Sequence, residues 1–224
     1  MPNNYKRMAA RQRQTYGEEV ANVLTHGAGM LFGMTAIIVL MMAAIRSGNP
    51  WAIGSFAVYA VCMTLSYVTS TFYHASTHAR QKRLLRRFDH GAIYLHIAGT
   101  YTPFTLLALR QEGYWGWSLF AVIWIAAVVG VWLSFRKMRK KDHLKTVCYL
   151  AMGWVVIIAF KPLLHVFRET GSMDVLYWLI GGGLFYTVGC LFFFLDKYKY
   201  MHPVWHFFVL GGSICHFISI YLLV

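Results

Sequence analysis

Seven apolar runs divide this chain, and each is long enough to cross a bilayer. They cover residues 20–45, 51–75, 88–109, 115–135, 146–167, 174–195 and 203–224. A hydrocarbon core needs roughly 20 apolar residues per helix, and any surplus is absorbed by tilt. In lipid, backbone polar groups must be satisfied within the protein, which makes each run a helix. The breaks carry turn or charge chemistry. On one side are Arg46-Ser-Gly-Asn-Pro50, Arg110-Gln-Glu-Gly113 and Arg168-Glu-Thr-Gly171. On the other are Ala79-Arg-Gln-Lys-Arg83, Arg136-Lys-Met-Arg-Lys-Lys141 and Asp196-Lys-Tyr-Lys199. Only 13% of the 224 residues are charged, about half the share of a soluble domain. The expected fold is all-α. It is one integral membrane domain over 1–224, a seven-transmembrane helix bundle, with 1–17 as a short basic cytoplasmic tail.

The formal net charge is +13. In a soluble protein such a balance points to nucleic acid. Here no nucleic-acid motif or folded soluble module accompanies it, so nucleic acid is excluded as a partner. The basic residues instead orient the helices. One side carries Lys6, Arg7, Arg11 and Arg13, then Arg80, Lys82, Arg83, Arg86 and Arg87. It continues with Arg136, Lys137, Arg139, Lys140, Lys141 and Lys145, and ends with Lys197 and Lys199, seventeen in all. The opposite side has Arg46, Arg110 and Arg168, three in all, with Lys161 inside the fifth run. The positive-inside rule places the amino terminus in the cytoplasm and the carboxyl terminus outside. The polar, basic start lacks a cleavable leader pattern, so the first run is expected to stay in the mature protein. Cys62, Cys148, Cys190 and Cys215 form no CxxC pair and read as small apolar fillers. Glycines at 27, 29, 33, 181–183, 211 and 212 are expected to let helices approach closely. Pro103 is expected to kink the third helix.

Ionisable groups inside a membrane are costly and mark function. The alternation of spans brings four of them to one depth. The second run ends on the cytoplasmic side at His74, and the third begins there with Asp89 in its first turn. The seventh also begins there, with His202 at its edge and His206 one turn deeper. In His202-Pro-Val-Trp-His206 the i, i+4 spacing sets both imidazoles on one helix face. Zinc takes imidazole and carboxylate ligands, and a catalytic zinc keeps one position open. Three histidines fill three places. Asp89 binds directly or through water, or it merely caps its helix or pairs with Arg86 or Arg87. Ser70, four residues before His74 on the same face, can donate to water or to a substrate carbonyl. Glu19, Asn22 and His26 share a face of the first helix, and His96 shares a face of the third with Asp89. These four are expected to stand behind the ligands, and His216 lies deeper on the seventh helix. The ordinary reading of such groups is hydrogen bonding between helices. His90 points away around its helix, His78 and His143 sit in basic loops, and His165 is near the opposite surface.

Five segments carry a family resemblance: Glu19-x-x-Asn22-x-x-x-His26, Ser70-Thr-Phe-Tyr-His74, Phe88-Asp-His-Gly-Ala-Ile-Tyr94, Ala98-Gly-Thr-Tyr-Thr-Pro-Phe104 and His202-Pro-Val-Trp-His206-x-Phe-Val-Leu-Gly-Gly212. From Glu18 to Leu223 the chain resembles the haemolysin III family, bacterial relatives of the progestin and adipoQ (adiponectin) receptors. The resemblance implies a multi-pass protein of the bacterial inner (plasma) membrane. It also implies zinc held by His74, His202 and His206, with Asp89 acting through water and Ser70 nearby. The wider superfamily includes alkaline ceramidases. By that analogy the leading expectation is a zinc-dependent hydrolase of a lipid amide or ester, with Asp89 and Ser70 catalytic and membrane lipids as partners. One alternative is a non-enzymatic sensor or regulator of membrane lipid state with structural zinc. The other is a pore-forming cytolysin, as the family name implies; a secretion signal and a long amphipathic segment are both lacking.

Overall fold

A computed structural model describes residues 14–136 and 142–224. The basic residues Lys6 to Arg13 and Lys137 to Lys141 lie outside the described residues. Among the described residues there is no strand, and the helices are α1 (Tyr16–Ser47), α2 (Pro50–Ala75), α3 (Ala79–Pro103), α4 (Trp115–Phe135), α5 (Asp142–Trp154), α6 (Phe160–Glu169), α7 (Met173–Phe194) and α8 (Met201–Tyr221). A π-helical turn, Phe104–Ala108, continues α3, and a 3-10 stretch, Val155–Ala159, joins α5 to α6. Six stretches are long and apolar enough to cross a membrane: α1, α2, α4, Leu144–Glu169, α7 and α8.

Local chemistry sets the helix ends. Thr15 and Glu18 form a reciprocal capping box at the start of α1. Gly48 ends it in the left-handed conformation, at φ 65°. Asn49 then caps α2 through the Trp51 amide, with Pro50 at its first position, where no amide hydrogen is needed. The start of α3 differs from the sequence expectation. Residues 79–87 read as a loop, yet they are helical, and only Ser76 to His78 link α2 to α3. Lys and Arg are good helix formers, and Arg80, Arg83, Arg86 and Arg87 are exposed. These charges keep α3 out of the set that can cross by composition, although its second half is buried from Gly91 to Pro103 on its inner face.

Prolines account for both irregular turns. Pro103 has no amide hydrogen to donate, and the helix continues as a π turn in which the Leu109 amide donates to Phe104 O at 3.0 Å. The fifth run was expected as one helix over 146–167. Pro162 stands in the first turn of α6, where its ring crowds the carbonyl four residues back, and the 3-10 stretch precedes it. Tyr101 on α3 repairs this break. Its hydroxyl donates to Gly153 O at 2.7 Å and accepts from the Val156 amide at 2.8 Å.

Sequence neighbours pack together, α1 on α2, α2 on α3, α3 on α4 and α7 on α8, and α8 returns against α1. Close approach needs glycine at Gly29, where a β-carbon would fall on the Tyr67 ring, and at Gly33, where it would meet Thr64. Gly27 and Gly181 instead face open space. Leu24, Leu31, Ile38 and Ile45 form an exposed stripe along α1, as lipid contact requires. The four cysteines are free. At one end of the bundle the Tyr200 amide donates to Glu18 Oε1 at 2.9 Å. This bond ties the start of α8 to the start of α1, and Tyr200 takes a left-handed turn, φ 63°, to enter the helix.

Tyr101→Phe leaves the Gly153 carbonyl and the Val156 amide without their hydroxyl partner. It should cost about 1–3 kcal/mol, read as a lowered Tm in detergent with metal content unchanged.

Candidate metal centre

The bundle end marked by Tyr200 and Glu18 also gathers the last turn of α2, the start of α3 and the first two turns of α8. His74 comes from the first, and His202 and His206 from the last. One ring nitrogen of each lies within 4.8 Å of the others. The ring centroids are 5.2 Å apart for His74 and His202, 5.1 Å for His74 and His206, and 4.6 Å for His202 and His206. Tetrahedral zinc with nitrogens at 2.0–2.1 Å separates them by about 3.4 Å. A short inward movement of the side chains therefore closes the cage.

Hydrogen bonds decide which nitrogen two of the rings offer. His74 Nδ1 donates to Glu19 Oε2 at 2.7 Å. The other oxygen of Glu19 receives Lys82 Nζ at 2.7 Å, and Lys82 also reaches the His74 carbonyl at 3.4 Å. His206 Nδ1 lies 3.3 Å from Thr25 Oγ1. The Thr25 hydroxyl hydrogen is directed to the carbonyls of Ala21 and Asn22, at 2.9 and 3.0 Å, so its oxygen accepts from the ring. Both imidazoles thus carry their proton on Nδ1 and present a bare Nε2. Those two Nε2 atoms are buried and have no partner within the protein. Buried lone pairs without partners are costly, and a cation between them is what this donor set fits. A carboxylate behind the ligating imidazole is the usual support of a metal-bound histidine.

The other expected residues divide. Asp89 is half-buried and lies beside the Ser70 hydroxyl and within electrostatic reach of His74. Its carboxylate does not join the three-nitrogen cluster. The His26 ring lies against that of His206, tilted by 39° with centroids 3.6 Å apart. The side-chain amide of Asn22 donates to Gln14, and its backbone carbonyl lies within hydrogen-bonding reach of His206. His96 stands further along the bundle, across Tyr67 from His26. His90 meets Tyr149, and His165 pairs with Glu112 at the far end. Sequence reasoning missed Thr25 and Lys82 as supports. Thr25 had a signal, since it lies three residues past Asn22, about 60° round the helix. Lys82 was counted as a loop charge because the helical start of α3 was not expected.

A cavity of about 320 Å³ begins at Asp89 and His26. It runs between α3, α5, α6, α7 and α8, past Ile93, Ile97, Leu150, Trp154 and Val209, to Leu119 and Leu163 near the other end. Its lining is mostly apolar, and the stretch Leu144–Glu169, which walls it, packs least closely of the six candidate spans.

These features define a class: a polytopic helical membrane protein with a three-histidine candidate metal centre at one end of an apolar cavity. Residues 14–217 match the family model described as haemolysin-III related. The chain is 42% identical over 210 residues to hemolysin-3 of Bacillus cereus, covering 94% of this chain and 93% of that one. It is 40% identical over 206 residues to a hemolysin-3 homolog of Bacillus subtilis (strain 168), covering 92% and 94%. The chain belongs to the haemolysin-III family, part of the progestin and adipoQ receptor superfamily, and is a multi-pass membrane protein.

Metal analysis of purified protein should find one divalent ion per chain, lost in His74→Ala and in His206→Ala. Glu19→Gln should keep the fold but weaken metal affinity about 10- to 100-fold, measured by chelator competition.

Proposed function

We propose that this protein is a zinc-dependent hydrolase of a lipid amide or ester. It crosses the membrane seven times, with its amino terminus in the cytoplasm and its carboxyl terminus outside. The buried inner face of α3 and its π turn support the seventh crossing. The division of seventeen basic residues against three supports the orientation. Reporter fusions at the two termini should report opposite compartments, and termini on one side would overturn the seven-span reading.

The observation that carries the hydrolase reading is the junction of the cage with the cavity. A proton-handling pair, Asp89 and Ser70, stands where a polar ligand site meets an apolar space of ligand size. When bound, zinc supplies Lewis-acid polarisation of a carbonyl and acidifies water. His74, His202 and His206 would hold it, and Glu19 and Thr25 fix the tautomers of His74 and His206. Asp89 takes a proton from the attacking water and returns it to the leaving amine or alcohol. Ser70 keeps the Asp89 carboxylate oriented. The hydrocarbon chain of the substrate fills the cavity, which excludes water from all but the reacting end. The loosely packed fifth span offers lateral entry from lipid. The relatives' name speaks of lysis. For this chain the far end of the cavity is lined by Leu109, Leu119, Leu163 and Leu176, which favours a closed pocket over an ion pathway.

The test is a panel of ceramides, phospholipids and acyl amides given to purified protein. One class should be cleaved. Asp89→Asn and Ser70→Ala should retain stoichiometric zinc while Asp89→Asn loses about 10²- to 10⁴-fold in rate. A metal-loaded protein that cleaves nothing in the panel, with Asp89→Asn keeping full cellular function, would leave lipid sensing in place of hydrolysis.

A further inference from the structure

The cavity that starts at Asp89 continues past His96 to His216. Both imidazoles are more than nine-tenths buried, at 6% and 9% exposure. Neither serves the cage. His216 lies ten residues along α8 from His206, about 15 Å at the helical rise. His96 lies seven residues along α3 from Asp89, about 10 Å. The two rings flank that of Tyr186, with centroids 6.3 and 5.4 Å away.

The hydroxyls around them are already committed. Tyr67 donates to Ser213 Oγ at 2.7 Å, and Tyr186 pairs with the same oxygen at 2.8 Å. The histidines are not. His216 Nε2 donates to the Leu179 carbonyl at 3.2 Å, and a carbonyl can only accept. A neutral ring so held presents a bare lone pair at Nδ1. That atom has no partner within the protein, and neither has His96 Nε2. The fold makes room for the His216 ring deliberately, since a β-carbon at Gly182 would fall on it.

We propose that His96 and His216 form a subsite for a hydroxyl carried on the ligand's hydrocarbon chain. The preferred ligand is a hydroxylated acyl chain, with its polar head at Asp89 and its hydroxyl about 10–15 Å further along the helices. The hydroxyl donates to His216 Nδ1 and meets His96 Nε2, while a plain chain leaves both nitrogens unsatisfied in an apolar space. The proposal rests on the reading of the cavity as an acyl-chain site, but it does not require hydrolysis.

Binding is therefore the measurement. Trp154 and Trp205 line the cavity and report its occupancy by fluorescence. Purified full-length protein is titrated with stearate and with 12-hydroxystearate, whose hydroxyl stands at a matching distance from the carboxyl. Wild type should bind the hydroxylated acid about tenfold more tightly, the effect of one well-made buried hydrogen bond. His96→Phe and His216→Phe should each reduce that preference, with stearate affinity and metal content unchanged. Equal affinities of wild type for the two acids overturn the subsite while leaving the acyl-chain reading intact, and so does a preference that survives in both variants. Failure to bind either acid removes the acyl-chain reading and the subsite together.

Discussion

The carboxylate of Glu19 takes a proton donor on each oxygen, His74 Nδ1 and Lys82 Nζ, both at 2.7 Å. Much of the site depends on this one group. It joins α1 to the end of α2 and the start of α3, and it does so where an unpaired charge would be expensive. By accepting the hydrogen bond from Nδ1–H it keeps the proton on that nitrogen and leaves His74 Nε2 bare. Thr25 does the same for His206 in a neutral form. Two side chains of α1 therefore set the tautomers of ligands supplied by α2 and α8.

That arrangement places demands on the rest of the bundle. α1 must lie close to α2 and α8 at the same end. Gly29 and Gly33 permit the first contact, and the Glu18 bond to the Tyr200 amide secures the second. Lipid gives helices little hydrophobic reason to associate, so packing of small residues and a few well-placed hydrogen bonds do most of the positioning. On the other side of the cavity the logic changes. The stretch Leu144–Glu169 is broken, bridged by the Tyr101 hydroxyl, and packs loosely. A polar half built on α1, α2, α3 and α8 thus faces a less closely packed apolar wall.

Helix existence and the membrane class were legible from apolar run length alone, because hydrocarbon thickness and the need to satisfy every backbone group admit few solutions. The gathering of His74, His202 and His206 was legible too. Alternating spans place residues at known depths, and an i, i+4 pair must share a face. The direct contact of Asp89 with Ser70 was not legible, because it depends on the rotation of α2 against α3. The helical start at Ala79 and the interruption at Val155–Ala159 were not legible from hydropathy. In the first, charge was taken for a loop although Lys and Arg favour helix. In the second, the effect of Pro162 was hidden inside an apolar run.

What the chain determined by itself is the number of apolar runs, their expected polarity across a membrane from charge, and the depth of each imidazole. Those depend on composition and spacing along one dimension. Only the tertiary structure decided that Glu19 reaches His74 rather than a nearer basic residue, that Thr25 backs His206, and that His96 and His216 look into a shared cavity with free nitrogens. Such facts depend on helix rotation and on which side chains meet across helices, and no spacing within a single helix encodes them.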